Sequence, residues 1–250
     1  MNRFQPFATR GGTSNESAAQ PAAENTGIGG GTQPTSFFTP LHYEPNYAYP
    51  LLIWLHGPGE EETQLRLVMP HISLRNYVAA AVRGTMPLDD QTAAPGYTWS
   101  QSSAHVAMAE QGVFEAMEAA SRRFNIAPRR VFLAGHDCGG TMALRIALGH
   151  PDLFAGVLSL GGPLPHERRP FSRLADLRIM PVFLASGRDS ERYPAPSVCD
   201  NLRLLHSAGM SVDLRQYPCS HEIMSAMLAD MDRWIMNLVV SASSVTATPA

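Results

Sequence analysis

The stretch Val131-Phe132-Leu133-Ala134-Gly135-His136-Asp137-Cys138-Gly139-Gly140 decides how this chain is read. Its first half is a short apolar run without a polar face, the mark of a buried strand. From Gly140 to Leu148 apolar side chains then recur at helical spacing. Gly135 and Gly139 bracket Asp137 at the spacing of a sharp strand-to-helix turn, whose flanking positions must be small for strand and helix to approach. The Asp137 side chain is thereby expected to stand over the sheet, beside a helix amino end whose free N–H groups favour an ionised carboxylate. Cys138 lacks the matching bracket, because the residue two positions upstream is His136. It reads as a small packed side chain that contributes its N–H.

Outward from this turn the same alternation repeats. Leu51–Leu55, Tyr77–Val82, Gly156–Leu160 and Pro181–Ala185 are further short apolar runs bounded by Gly, Pro or charge. Helical spacing marks Ala104–Phe124, Ala195–Ala208 and Glu222–Val239, with Val113, Met117 and Ala120 on one face of the first. Val212–Tyr217 alternates, as a strand nearer a sheet edge does. Strands too apolar to have a wet face, each followed by a helix, predict an α/β fold: a mostly parallel central sheet with helices on both faces. Ligands of such sheets bind beyond the carboxyl ends of the strands. The turns there are His56-Gly57-Pro58-Gly59, Gly135 to Gly140, Ser186-Gly187-Arg188-Asp189 and the segment holding His221. Chain order then offers Asp189 as an orienting acid and His221 as a general base for Asp137.

Composition bounds the rest. The chain has 250 residues, 44% hydrophobic and 16% charged, enough for one domain with a large core. From Gly11 to Thr35 it is Gly, Ser, Asn, Thr, Gln, Ala and Pro with hardly a large apolar side chain, so ordering it would cost entropy without burial. We therefore expect a disordered extension over 1–35, a folded body over 36–240 and a flexible tail over 241–250. A net charge of −3 gives no basic field for nucleic acid or an anionic membrane. No apolar run is long enough to insert stably in a bilayer, and residues 1–10 lack the apolar core of a secretory signal. Cys138, Cys199 and Cys219 are odd in number and without CxxC spacing, which points to a reducing, cytoplasmic compartment rather than disulfides. The histidines show no metal-ligand spacing, and the glycine-rich turns lack the dinucleotide and Walker patterns, so neither metal nor organic cofactor is implied. Glu60-Glu61-Glu62 reads as an acidic cap on the next helix, His136 as a structural hydrogen-bonding residue, Met69, Met86, Met108 and Met117 as core filler, and Trp99 as a cleft or packing residue.

The His-Gly-Pro-Gly turn, the Gly-x-x-x-Gly elbow, Gly187-Arg188-Asp189 and Cys219-Ser220-His221-Glu222 together resemble the α/β-hydrolase superfamily, most closely its phospholipase/carboxylesterase branch, which includes the acyl-protein thioesterases. The likeness runs from Phe37 to about Met236. It implies hydrolysis of carboxylic ester or thioester bonds in a small-molecule substrate, with Asp137, Asp189 and His221 as the catalytic set, and leaves the oligomeric state open. It also implies an oxyanion hole drawn from the N–H of Cys138 and that of Pro58, between Gly57 and Gly59. This chain departs from the branch twice: Asp137 stands where the branch has Ser, and proline has no N–H to donate. An Asp at this elbow is similar to haloalkane dehalogenases and epoxide hydrolases, which attack alkyl carbon. Those families carry a cap after the strand corresponding to Gly156–Leu160, and the chain between Leu160 and Asp189 has no room for one. A third reading is a catalytically inactive relative whose cleft binds a ligand or protein.

Overall fold

The seven strands of the main sheet run in the order β1-β3-β2-β6-β7-β8-β9. They are β1 (Thr35–Phe38), β2 (Tyr49–Leu55), β3 (Val78–Val82), β6 (Ile126–His136), β7 (Gly156–Leu160), β8 (Val182–Gly187) and β9 (Val212–Tyr217). All neighbours pair in parallel except β1, which runs antiparallel to β3. A separate two-stranded ribbon joins β4 (Met86–Pro87) to β5 (Tyr97–Thr98). The helices are α1 (Leu65–Ile72), α2 (Ser103–Arg123), α3 (Cys138–Gly149), α4 (Ala195–Ser207) and α5 (Ser225–Val245). The structure is a computed structural model and describes residues 33–88, 96–165 and 178–245.

Alternation along the strands sends one set of side chains to each face. Leu51, Ile53, Leu55, Leu133 and Val157 meet α2 and α3 through Val113, Ala116, Ala120, Met142 and Ile146. Leu52, Trp54, Phe132, Leu158 and Phe183 meet α1 and α5 through Leu65, Met69, Leu228, Met231 and Trp234. Both faces are therefore covered, as the unbroken apolar runs predict, and Val113 and Ala120 are fully buried on the predicted face of α2. Met69 is core, whereas Met86 and Met108 are exposed, against expectation, because each sits on an element side turned to solvent.

The last helix ties the sheet across its back. On the β3 side Tyr77 and Asn76 donate to the Asp232 carboxylate at 2.7 and 2.9 Å. Toward the β9 edge, Asp230 accepts from Tyr217 at 2.7 Å and pairs with Arg215 at 2.8 Å, and the Trp234 indole donates to Asp213 at 2.7 Å.

The boundaries differ slightly from those expected. β1 begins at Thr35, inside the low-complexity segment, because Phe37 and Phe38 give it apolar side chains to bury. α5 runs on to Val245, past residue 240. The remainder of both predicted flexible ends, 1–32 and 246–250, lies outside the described residues.

The acidic run stands where the helix start was expected, with Glu61 at the N-cap position, but it makes no side-chain capping bond. Glu62 opens a short 3-10 turn without a side-chain capping bond, and its carboxylate is buried. Arg83, just past β3, grips it with two hydrogen bonds of 2.7 Å from Nε and Nη2 and lies 4.8 Å from the centroid of the Tyr97 ring. That fork joins the turn after β2 to the ribbon over the sheet. Arg83→Met would leave the Glu62 carboxylate buried and unpaired, at an expected cost of about 3 kcal/mol in urea unfolding. A loss below about 1 kcal/mol would show that the fork contributes little.

Candidate active site

Asp137 sits between β6 and α3 with φ 51° and ψ −121°, on the left-handed side that L-residues rarely adopt. Such a conformation costs on the order of 1–3 kcal/mol and persists only where the surroundings impose it. They do so here by backbone contact. A Cβ on Gly135 would lie 2.4 Å from the Gly139 carbonyl oxygen, and one on Gly139 would lie 2.4 Å from the carbonyls of both Leu55 and His56. The Asp137 N–H donates to the Leu160 carbonyl at 2.8 Å, and its own carbonyl accepts from Thr141 at 3.0 Å. The bracketing glycines thus have the role their spacing predicts.

The carboxylate meets two cationic or potentially cationic groups. His221 Nε2 approaches Oδ2 to 2.8 Å, close enough for an ion pair but without an aligned hydrogen bond. Arg192 Nη1 donates to the same oxygen. On its other side the imidazole meets Ser190, whose Oγ lies 3.0 Å from Nδ1. That hydroxyl also accepts the Tyr193 N–H at 3.1 Å, which holds it against the imidazole.

Asp189 was expected at Nδ1, and the structure places it elsewhere. Its side chain is exposed, and its N–H donates to the Cys219 carbonyl at 3.0 Å. The Arg188 N–H donates likewise to Tyr217 at 2.8 Å, so β8 and β9 stay paired beyond their last strand residues. The chain turns inward one position later than predicted, at buried Ser190. Sequence gave no sign of Ser190 or Arg192, since neither belongs to a motif and both follow a more conspicuous aspartate.

Burial acts to raise the Asp137 pKa, but the His221 contact, the His221 charge and Arg192 outweigh it and hold the carboxyl below its ordinary range. His136 is the structural residue its position suggested: Nε2 meets the His221 carbonyl at 3.0 Å, and burial pushes its pKa down to about 4, so the ring stays neutral near pH 7. Burial also pushes the Cys138 thiol up; its sulfur sits 3.3 Å from the Thr98 hydroxyl and is not a ready thiolate. His56 is fully buried, with Nδ1 2.8 Å from the Gly57 carbonyl and Nε2 accepting from the Gly84 N–H at 2.8 Å.

A cleft of about 460 Å³ opens over the elbow, lined among others by Trp99, Asp137, Cys138, Arg145, Leu164 and Arg192. Trp99 lines it without filling it, held by an indole bond to the His56 carbonyl at 3.0 Å. Gly57, Pro58 and Gly59 are not among its lining residues. Gly57 packs beneath His136, and the Gly59 N–H is committed to Tyr97 at 3.0 Å. Pro58 has no N–H, so the first turn offers the cleft no evident second oxyanion donor. Among the described residues no cluster of His, Cys, Asp and Glu could hold a metal ion, and no helix is long and apolar enough to cross a membrane.

A mostly parallel, doubly covered sheet with a strained residue on a strand-to-helix elbow defines an α/β-hydrolase. The family described as "Putative esterase" matches residues 30–225, and the chain belongs to it. A Nocardia uniformis subsp. tsuyamanensis protein named "Putative esterase NocK" is 47% identical over 55 residues, 21% of this chain and only 16% of that protein. Among solved structures, a carboxylesterase from Mesorhizobium loti superposes with TM-score 0.66 at 21% identity, covering 82% of this chain and 94% of that one. Arabidopsis thaliana SOBER1 superposes with TM-score 0.60 at 18% identity, over 77% of this chain and all of the other (100%). Identities this low establish the shared fold alone.

A carboxyl whose pKa is lower folded than unfolded adds stability above its unfolded pKa, and that stability is lost as pH falls through the folded value. Asp137→Asn is therefore expected to be less stable than wild type at pH 7, with the gap closing below about pH 4. Urea unfolding at pH 7, 5 and 3 measures it, and a gap unchanged at pH 3 would show that the Asp137 charge contributes no stability.

Proposed function

We propose that this protein hydrolyses acyl compounds with a weakly basic leaving group, thioesters and aryl esters, with Asp137 as nucleophile and His221 as proton carrier. The observation that carries the reading is the strained, ionised Asp137 in contact with His221 beneath an open cleft. Family membership favours attack at an acyl rather than an alkyl carbon. Asp137 Oδ2 already faces His221 and Arg192, which leaves Oδ1 as the attacking atom.

In this scheme Oδ1 adds to the acyl carbon, the carbon–sulfur or carbon–oxygen bond breaks, and the leaving group takes a proton from protonated His221. The product is a mixed anhydride between Asp137 and the acyl group. His221, now neutral, accepts a proton from water as the water attacks the acyl carbon. The anhydride bond then breaks, the acid departs, and the carboxylate and imidazolium are restored. Ser190 positions the imidazole, and the Cys138 N–H at the head of α3 faces the developing negative charge.

Two physical limits set the substrate class. A carboxylate is a better leaving group than an alkoxide, so an adduct with an alkyl ester collapses back, whereas thiolates and phenolates can leave. Absence of one oxyanion donor costs on the order of 3 kcal/mol, which a reactive acyl group tolerates best. A small-molecule substrate and a cytoplasmic location, the latter suggested by three free cysteines, complete the reading.

A second reading, ligand binding without turnover, draws on Arg192, whose ion pair occupies the carboxylate that would attack. Initial rates with p-nitrophenyl butyrate, a butyryl thioester and ethyl butyrate separate the two. The expected result is turnover of the first two, at least a hundredfold slower reaction of the third, and hundredfold losses in Asp137→Asn and His221→Ala. Rates equal to buffer for all three esters, or an unimpaired Asp137→Asn, would overturn the hydrolytic scheme.

A further inference from the structure

One short loop after β8 touches both Asp137 and His221. Its residues Ser190 and Tyr193 are buried, joined by the bond from the Tyr193 N–H to Ser190 Oγ. Asn201 of α4 donates to the Tyr193 hydroxyl at 2.9 Å and holds the loop from behind. Ser190 lies against the imidazole, and Arg192, between the two buried residues, reaches into the cleft to Asp137 Oδ2. The backbone on either side of Arg192 is thus anchored. Its side chain, by contrast, is 61% exposed, and an ion pair so open to water holds weakly.

The charge that Arg192 meets moves during the proposed reaction. At rest it lies on the Asp137 carboxylate. When Oδ1 bonds the acyl carbon, the carbonyl electron pair passes to the acyl oxygen, so Asp137 becomes a neutral ester and the charge reappears two bonds from Oδ1. Arg192 loses its ion as another forms beside it. A guanidinium carries five N–H donors in one plane, so a group that meets Oδ2 through Nη1 has further donors for a neighbouring oxygen. The turn after β2 offers no such donor, because Pro58 has no N–H and that of Gly59 is committed to Tyr97.

We infer that Arg192 is a catalytic residue: its guanidinium passes from Asp137 Oδ2 to the oxyanion of the acyl adduct and supplies a donor that the first turn lacks. The inference rests on the hydrolytic reading. Its grip on Oδ2 also stabilises the resting site, so the rate gains only if the oxyanion is held better than the carboxylate. It is, because the carboxylate spreads its charge over two oxygens and the adduct concentrates it on one. The guanidinium keeps its proton throughout. When the adduct collapses, the oxygen returns its pair to the carbonyl, the bond to the leaving group breaks, and that group takes the proton from His221.

The experiment compares p-nitrophenyl butyrate with its thiono analogue, in which sulfur replaces the carbonyl oxygen, on the full chain and on Arg192→Met and Arg192→Ala. Sulfur accepts hydrogen bonds weakly, so the oxygen-over-sulfur ratio of kcat, set against the same ratio in buffer, reports on donors at that atom. Arg192→Met is expected to lower kcat for the oxygen ester about tenfold or more, to leave KM within about twofold, and to shrink the ratio at least fivefold. Ethylguanidinium in the buffer is expected to restore part of the rate to Arg192→Ala. A merely displaced loop would slow both esters alike, so a slower variant with an unchanged ratio would overturn the donor role. A variant as fast as wild type or faster would make Arg192 a guard on the nucleophile, overturning the donor role while hydrolysis stands. Absence of turnover in wild type would instead bring down the hydrolytic reading and the donor role with it.

Discussion

Everything at the cleft depends on how closely backbone is pressed against backbone beneath Asp137. The end of β2, the end of β6 and the first turn of α3 approach until no Cβ fits at Gly135 or Gly139. The turn after β7 closes the fourth side, for a Cβ on Gly162 would lie 2.4 Å from the Asp137 carbonyl oxygen. Asp137 is held at positive φ by those contacts and by its hydrogen bonds to Leu160 and Thr141. Apolar burial on both faces of the sheet supplies the free energy that maintains this strained position.

The array around His221 inverts the polarity that the family resemblance implies. There a hydroxyl faces the cleft side of the imidazole and a carboxylate its inner side. Here the carboxylate of Asp137 lies at Nε2 and the hydroxyl of Ser190 at Nδ1. An ionised carboxylate at the elbow has no proton to give up, so the imidazole faces an acceptor there. A group placed at residue 137 meets a proton donor, which suits departure of a leaving group more than activation of a hydroxyl.

Much of this was legible from residue order. Gly156–Leu160 and Val212–Tyr217 coincide with β7 and β9, because a short apolar or alternating run between turn signals has little choice of structure. The elbow was legible because its glycines answer a steric demand local to ten residues. β1 was not, since Thr35–Phe38 is a strand only by pairing with β3, forty residues on. Glu62 misled because an acid before a helix looks like a cap, and only the fold brings Arg83 to it. Ser190 escaped for a similar reason: which of two neighbours turns inward depends on how far β8 and β9 remain paired, and that is a property of the sheet, not of the segment.

The clamp formed by α5 has a consequence in time. Its Asp230, Asp232 and Trp234 lock to residues beside β3 and on β9, and His221 lies on the loop that leads into it. Elbow and cleft wall are encoded earlier in the chain. Folding must therefore bring the chain beyond β9 back across the sheet before the imidazole meets Asp137, so the site is completed only as the far face of the sheet is covered.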